Sequence, residues 1–573
     1  MQSNFRSTGT IAMTLAAGWL CCVLSLWGFQ PNPATAQTGR AAESAGKLEP
    51  KEQTASLEGC VVNAVTGDPL RKATLMLTRS GGSATPATAE TDDQGHFAFQ
   101  NLEAGRYILF GERTGFARQA YGARGNSLSG TALLFSAGQE MKDLLFKLSP
   151  NSVIAGKVLD EDGEPLANTT VMALRTAYQR GKRQFMPIGA AQTNDLGEFR
   201  IASLKAGRYI ISATHRNLAG IMGGSGNKPP ADKPESSYTT TFFPNSIDAE
   251  SASPVEVGLG VESRGSDIRM VKVNTFRVKG KLSEPPQGKT VIVFLSPKGA
   301  GMIALITRSF ALAQQTDGSF EIKGVAPGAY LLSSSGQDGM PSGVMQPVQV
   351  TDQHVEGIVL QLGGGGDLPG VVTVEGKDPV DLKSIQVVLE STDMMLVRPK
   401  VPVGEDGKFT LKGVAPGRYL VRVSGGPETL YLKSVRFGPQ EVGEDGIDLS
   451  NGVSGSLEIT LSQAGAQLDG TVRGEDSNPR SGVTVVLIPD SKRYSLYKEM
   501  TTDQRGGFSL KGITPGDYKV LAWEDIEPGA YQDPEFLKQF EGEAKTISLK
   551  ESDRQALTLK AIPAEKGAKG VGQ

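Results

Sequence analysis

Apolar residues recur every second position over short runs along most of this chain, the period of strands with one buried and one wet face. Phe97 and Phe99, Phe320 and Ile322, and Phe409 and Leu411 are such pairs. Each run follows a turn, as in Thr91-Asp92-Asp93-Gln94-Gly95 or Thr193-Asn194-Asp195-Leu196-Gly197. There Asp and Asn side chains bond nearby backbone and glycine accepts a positive φ. Beyond the run stands a corner with Ala-Gly or Pro-Gly and then tyrosine, as in Leu204-Lys205-Ala206-Gly207-Arg208-Tyr209 and Val414-Ala415-Pro416-Gly417-Arg418-Tyr419. The phenylalanine and tyrosine are ten residues apart in five copies: Phe97 and Tyr107, Phe199 and Tyr209, Phe320 and Tyr330, Phe409 and Tyr419, Phe508 and Tyr518. From copy to copy the spacing drifts between 89 and 121 residues, so a fixed frame recurs inside a variable period. That pattern predicts one folded module per copy, with loops that differ and frame aromatics that serve shape.

Each copy also opens alike, with an apolar residue, any residue and glycine: Leu57 to Gly59, Ile154 to Gly156, Val278 to Gly280, Leu368 to Gly370 and Leu468 to Gly470. The glycine precedes the framed phenylalanine by 38 to 43 residues in all five copies, which marks the module start independently. A second strand follows, such as Val171–Leu174, Val291–Leu295 or Val483–Leu487, and a closing strand such as Leu144–Leu148, Ile268–Val273, Ile358–Leu362, Leu457–Leu461 or Leu557–Leu559. Regularly spaced strands with Gly and Pro turns predict an all-β chain. The expected divisions are module 1 at 56–150, module 2 at 151–274, module 3 at 275–363, module 4 at 364–462 and module 5 at 463–563, with a disordered tail at 564–573.

Length agrees, since 573 residues suit four or five domains of ordinary size. Glycine, at 71 residues, is nearly double its usual share of about 7%, as many short strands joined by turns require. A net charge of −3 implies neither nucleic acid nor an anionic membrane as partner. Arg6, the apolar run Ile11–Phe29 and the small residues Ala34-Thr35-Ala36 predict an export signal over 1–36 and a mature chain from Gln37. That run is also near the roughly 17–25 residues that span a bilayer, so an uncleaved anchor is the alternative. With the signal removed no membrane span is expected, and the address is periplasmic, cell-surface or extracellular. Residues 37–55, without aromatics, read as a disordered linker. Cys60 is then the one thiol, in a strand pattern, so the modules hold without disulfides and a buried structural cysteine is expected.

The Gly-x-Val opening, the Asp-x-x-Gly-x-Phe turn and strand, and the Pro-Gly-x-Tyr corner resemble the carboxypeptidase regulatory-like domain, a prealbumin-like sandwich grouped with carbohydrate-binding-like folds. The stretch Ile154 to Leu166 followed by Thr193 to Gly197 is similar to secreted tandem repeats of that family from soil bacteria such as acidobacteria. The resemblance covers about 56 to 563. It implies a tandem array of five immunoglobulin- or prealbumin-like sandwiches, in which the tyrosine pins a bend as in a tyrosine corner. The family takes its name from an enzyme whose catalytic domain has no counterpart here.

Chemistry is sparse. His96, His215 and His354 are followed three residues later by Phe99, Leu218 and Gly357, so the His-x-x-Glu pair of a zinc peptidase is missing. Gly223-Gly224-Ser225-Gly226 falls short of a nucleophile elbow, and no base is spaced to serve Cys60. The acidic turns Asp92-Asp93 and Asp160-Glu161-Asp162 lack the spread of ligands of a calcium loop. Without a following lysine, Gly363–Gly366 reads as a hinge rather than a phosphate loop. No enzyme, metal or cofactor is expected.

One segment departs from the repeat: Trp523, Glu524, Asp525, Tyr531, then Asp533 before Pro534, which predicts a short capped helix from Pro534 to Phe540. Two readings stand. Trp523, Tyr531 and the carboxylates of Glu524 and Asp525 form a site that stacks on a sugar ring, or Trp523, Phe536 and Phe540 plug the open end of the last sandwich. The basic run Arg175 to Arg183 reads as solvated surface, and the loop 217–253 as a long variable insertion. The expectation is a monomeric, secreted, non-catalytic rod binding a glycan or cell-surface polymer, with avidity from repetition. A spacer or adhesion scaffold with protein partners is the alternative, and an uncharacterised hydrolase a third.

Overall fold

The computed structural model describes residues 54–564 apart from 81–84, 124–129, 216–234, 285–287, 289, 336–340, 363–364, 393–398 and 492. The export signal, nearly all of the linker, Gly223–Gly226, part of the hinge at Gly363 and the tail from 565 lie outside these residues. Among the described residues no helix is long and apolar enough to cross a membrane.

The fold is all-β, and one two-sheet plan recurs. In module 1 the opening strand Ala55–Asn63 pairs antiparallel with His96–Leu102, which carries Phe97, and parallel with the closing strand Glu140–Leu148. Facing it, Thr74–Arg79 pairs antiparallel with Ala87–Glu90 and with Gly105–Glu112, which carries Tyr107. Module 5 repeats this: Ala466–Arg473 lies between Gly507–Ile513 and Arg554–Lys560, and Thr484–Pro489 between Lys498–Thr501 and Gly516–Trp523. The inward side chains meet between the sheets, Leu57, Leu75, Leu109 and Phe146 in module 1 and Leu468, Val485, Tyr518 and Leu559 in module 5. Equivalent cores fill the other three modules.

The repeated residues have a common physical reason. Each opening glycine lies opposite its framed phenylalanine: Gly59 and Phe97, Gly156 and Phe199, Gly280 and Phe320, Gly370 and Phe409, Gly470 and Phe508. The ring crosses over the glycine, so a Cβ at Gly59 or Gly280 would stand 2.8 or 2.6 Å from ring carbons. Only glycine admits that approach. The tyrosines close the corner, each hydroxyl donating to the carbonyl four residues back: Tyr107 to Glu103 at 3.0 Å, Tyr209 to Lys205 at 2.6 Å, Tyr330 to Ala326 at 2.8 Å, Tyr419 to Ala415 at 2.8 Å and Tyr518 to Thr514 at 2.6 Å. The bend turns on the glycine two residues before the tyrosine, at φ +145° to +158° in modules 1, 2, 4 and 5.

The turns consume their own acids. Asp92 Oδ1 accepts from the amides of Gln94 and His96, Asn194 Oδ1 from Leu196 and Glu198, and Asp160 Oδ1 from Asp162 and Glu164. A motif the sequence did not reveal accompanies them in modules 1, 2 and 5. The buried hydroxyls of Thr91, Thr193 and Thr502 each accept an amide, from Ala73, Thr169 and Val483, and donate to the carbonyl of Leu70, Leu166 or Arg480.

The expectation of a rod is corrected. A rod would join only chain neighbours, yet module 5 touches modules 1, 2 and 4. The Gln504 side chain pairs with both backbone groups of Leu134, at 3.0 and 2.9 Å, and Arg106 donates to the Thr501 carbonyl at 2.8 Å. Tyr431 donates to Glu551 at 2.8 Å, and Lys511 pairs with Glu428 at 3.2 Å. The junction of modules 2 and 3 is interleaved as well. Glu235–Tyr238, from the long insertion of module 2, pairs with Lys272–Leu282, the strand that opens module 3. Ile303 of module 3 packs with Leu174, Phe185, Ile210 and Phe242 of module 2.

Candidate functional site

The segment singled out by sequence packs as a cap on the outer face of the strands Thr484–Pro489 and Gly516–Trp523, over Val486, Ile488 and Leu521, rather than in the open end of the sandwich. Helix Pro534–Lys538 begins at Asp533, whose side chain accepts the Glu535 amide at 2.9 Å, with proline in the first turn. Its residues Phe536 and, just beyond it, Phe540 cover Trp523, with ring centroids 6.4 and 5.6 Å away. The indole is 0% exposed and Tyr531 7% exposed. Tyr531 donates to Glu499 at 2.6 Å and stacks on Tyr497, which stacks on Tyr494. Burial, then the Glu499 carboxylate, raises its hydroxyl pKa. Glu524 faces Arg480 at 3.5 Å. The residues expected to stack on sugar therefore present no open aromatic face, because Ile526, Ile562 and the two phenylalanines occupy it. Asp525, the remaining member, follows Glu524 directly in the link to this cap.

The basic run is likewise not free surface. It forms the end of the hairpin Thr170–Gln179 and Lys182–Gln192, which reaches across to the cap: the Tyr178 amide donates to Pro528 and the Arg180 amide to Gln532 Oε1 at 2.7 Å. Arg175, 9% exposed, lies over the Tyr209 ring and donates to its hydroxyl at 2.7 Å and to the Ala206 carbonyl at 2.9 Å. One arginine thus braces the corner of its own module.

Beside the base of this hairpin a cleft of about 720 Å³ opens between modules 1 and 2, with Pro528 of module 5 at its edge. Its volume is in the range of ligand sites, about 300–1,000 Å³. The wall carries Lys72, Arg113, Arg118, Arg175 and Lys205 against one carboxylate, Glu112, 3.5 Å from Arg118. Apolar surface alternates with the cations. Phe116 lies under Arg113 at 5.3 Å, and Met186 and Ile188 are 40% and 49% exposed. Burial and the nearby Arg175 guanidinium lower the pKa of the Lys205 ammonium. Two wall atoms, Asn151 Oδ1 and Arg175 Nε, are buried without a partner among the described residues. No sequence signal marks this cleft, because its halves come from different modules.

Elsewhere the chemistry is dispersed. His96 is exposed 3.6 Å from Asp92, His215 Nδ1 meets Thr169 Oγ1 at 2.9 Å, and His354 Nδ1 accepts the Arg277 amide at 3.1 Å. Cys60 is half-buried rather than buried, its thiol 3.4 Å from the Gln94 carbonyl, and burial with the Asp92 carboxylate raises its pKa. Among the described residues no group of His, Cys, Asp and Glu is arranged to hold a metal ion.

Comparison with known proteins follows this geometry. Residues 56–135 match the carboxypeptidase regulatory-like domain, and residues 464–526 match the second β-sandwich domain of NOMO1-like subunits of the BOS complex. Colossin-A of Dictyostelium discoideum is 22% identical over 495 residues, which is 80% of this chain and 4% of that protein, so the chain spans a small fraction of this relative. Among solved structures, a minor pilin of Streptococcus agalactiae is 14% identical, covering 38% of this chain and 97% of that one with a TM-score of 0.23. Two B repeat units of the collagen-binding protein of Staphylococcus aureus are 12% identical, covering 72% and 100%, with a TM-score of 0.13. With its first module matching the carboxypeptidase regulatory-like domain and its last a NOMO1-like sandwich, the chain is a tandem β-sandwich protein.

Proposed function

We propose that this protein is a non-catalytic, extracytoplasmic adhesion or scaffold protein that holds a carbohydrate or cell-surface polymer. One observation carries the reading: every residue repeated in all modules is spent on its own module's shape, whereas residues that differ from module to module dock modules on one another, as Gln504, Arg106 and Lys511 do, and wall an open cleft. Hydroxyls, turn acids and glycines that close on local backbone are removed from chemistry, which leaves the unrepeated loops as the part free for recognition. Export rests on Arg6, the apolar run and Ala34 to Ala36. The test is cell fractionation with N-terminal sequencing, together with a pull-down of the intact exported protein on cell-envelope polysaccharide. Recovery outside the cytoplasm, starting at Gln37 and retained on polysaccharide, is expected. A cytoplasmic protein that no envelope polymer retains refutes the proposal.

A further inference from the structure

We infer that the cleft between modules 1 and 2 takes an acidic saccharide, a sugar chain bearing carboxylates; this rests on the polymer-binding function proposed above and names its site and ligand class. The wall offers three complementary features. Arg113, Arg118 and Lys205 supply positive charge that a carboxylate meets with charge-assisted hydrogen bonds. Phe116, Met186 and Ile188 supply apolar area against which a ring face packs. Asn151 Oδ1 and Arg175 Nε, both buried without partners among the described residues, are an acceptor and a donor on residues of the same wall, and each is uncovered to a ligand only by a shift of its neighbours.

The last pair decides the class. A buried polar atom without a partner is unfavourable, and a ligand that supplies the missing group relieves part of that penalty. Asn151 Oδ1 needs a donor, which a sugar hydroxyl provides and a fully ionised phosphate does not. Arg175 Nε needs an acceptor, which a carboxylate provides. A uronate carries both groups on one ring. Pro528 adds a residue of module 5 to the rim, so the intact chain is the form to test.

The experiment titrates the intact mature protein by calorimetry with oligogalacturonate, a neutral oligosaccharide of equal length, inorganic polyphosphate and an acidic peptide. Oligogalacturonate is expected to bind, to weaken as ionic strength rises, and to lose at least tenfold in affinity in an R113Q/R118Q/K205Q variant. Asn151→Ala is expected to weaken the oligogalacturonate and leave polyphosphate unchanged. Unchanged far-ultraviolet dichroism certifies that each variant is folded. Equal oligogalacturonate affinity in the triple variant overturns the site. Tighter binding of polyphosphate or peptide overturns the ligand class, as does binding of the neutral oligosaccharide alone, which leaves the polymer-binding function standing. Failure to bind oligogalacturonate overturns the inference, and failure to bind any envelope polysaccharide in the pull-down overturns the function itself.

Discussion

Replacing Phe536 by alanine separates a cap from a ligand site. Phe536 is 2% exposed, and its ring centroid lies 5.1 Å from Phe540 and 6.4 Å from Trp523. Truncating a buried phenylalanine costs about 3–5 kcal/mol, from lost transfer energy and the cavity left behind. A helix as short as Pro534–Lys538 has little stability of its own and depends on that packing. The remaining tryptophans, Trp19 and Trp27, lie in the expected export signal, so in a protein starting at Gln37 the Trp523 indole reports on this cap alone. A probe confined to one module also limits the blurring that several unfolding units bring to a multidomain transition. With a urea m-value of about 1–3 kcal/mol/M, the loss lowers the midpoint of the indole emission change by about 1 M or more. An unmoved midpoint, or a wild-type indole that acrylamide quenches as readily as free tryptophan, refutes the cap and returns Trp523 to the list of exposed recognition residues.

Three further perturbations follow from the geometry. Gly280→Ala places a Cβ 2.5 Å from the Ile358 carbonyl oxygen and 2.6 Å from the Phe320 ring, so overpacking of about 1–3 kcal/mol is expected in module 3; an unchanged melting profile by calorimetry would contradict it. Tyr419→Phe removes the 2.8 Å bond to Ala415, which is 8% exposed, and lowers the stability of module 4 by about 1 kcal/mol, rising toward about 3 if the carbonyl is left dry; chemical denaturation of the variant measures it. At the junction of modules 2 and 3, hydrogen bonds from Lys272 and Tyr238 hold the Glu161 carboxyl at about 2, below its ordinary 4.5. A depressed folded pKa stabilises above the unfolded value and is lost as pH falls from about 4.5 toward about 2. Protection factors of the Glu235–Tyr238 amides, taken relative to the intrinsic exchange rate at each pH, are therefore expected to fall across that window, and Glu161→Gln to flatten the response; the same profile in both proteins would exclude Glu161 as the cause.

Much of the module was legible because its determinants are local or exactly spaced in strand order. An Asx turn needs residues two to four apart, the tyrosine corner four, and a capped helix an Asp-Pro pair, so Asp92, Tyr209 and Asp533 carry their roles in the string of letters. The glycine opposite each phenylalanine was visible as a spacing, but its cause, the ring lying over the backbone, required the paired strands. What sequence left open depends on groups far apart along the chain. Gln504 reads as an ordinary turn residue until its amide is seen against Leu134, 370 residues away. Tryptophan, tyrosine and carboxylates in one segment suit a cap and a sugar site equally, since composition does not record which face is covered. The cations of the cleft come from two modules whose placement is set by inter-module packing. Repetition and alternation thus determined the sandwiches, because a strand's burial follows its own period; how the sandwiches meet, and the cleft this creates, were decided by tertiary contacts that no period encodes.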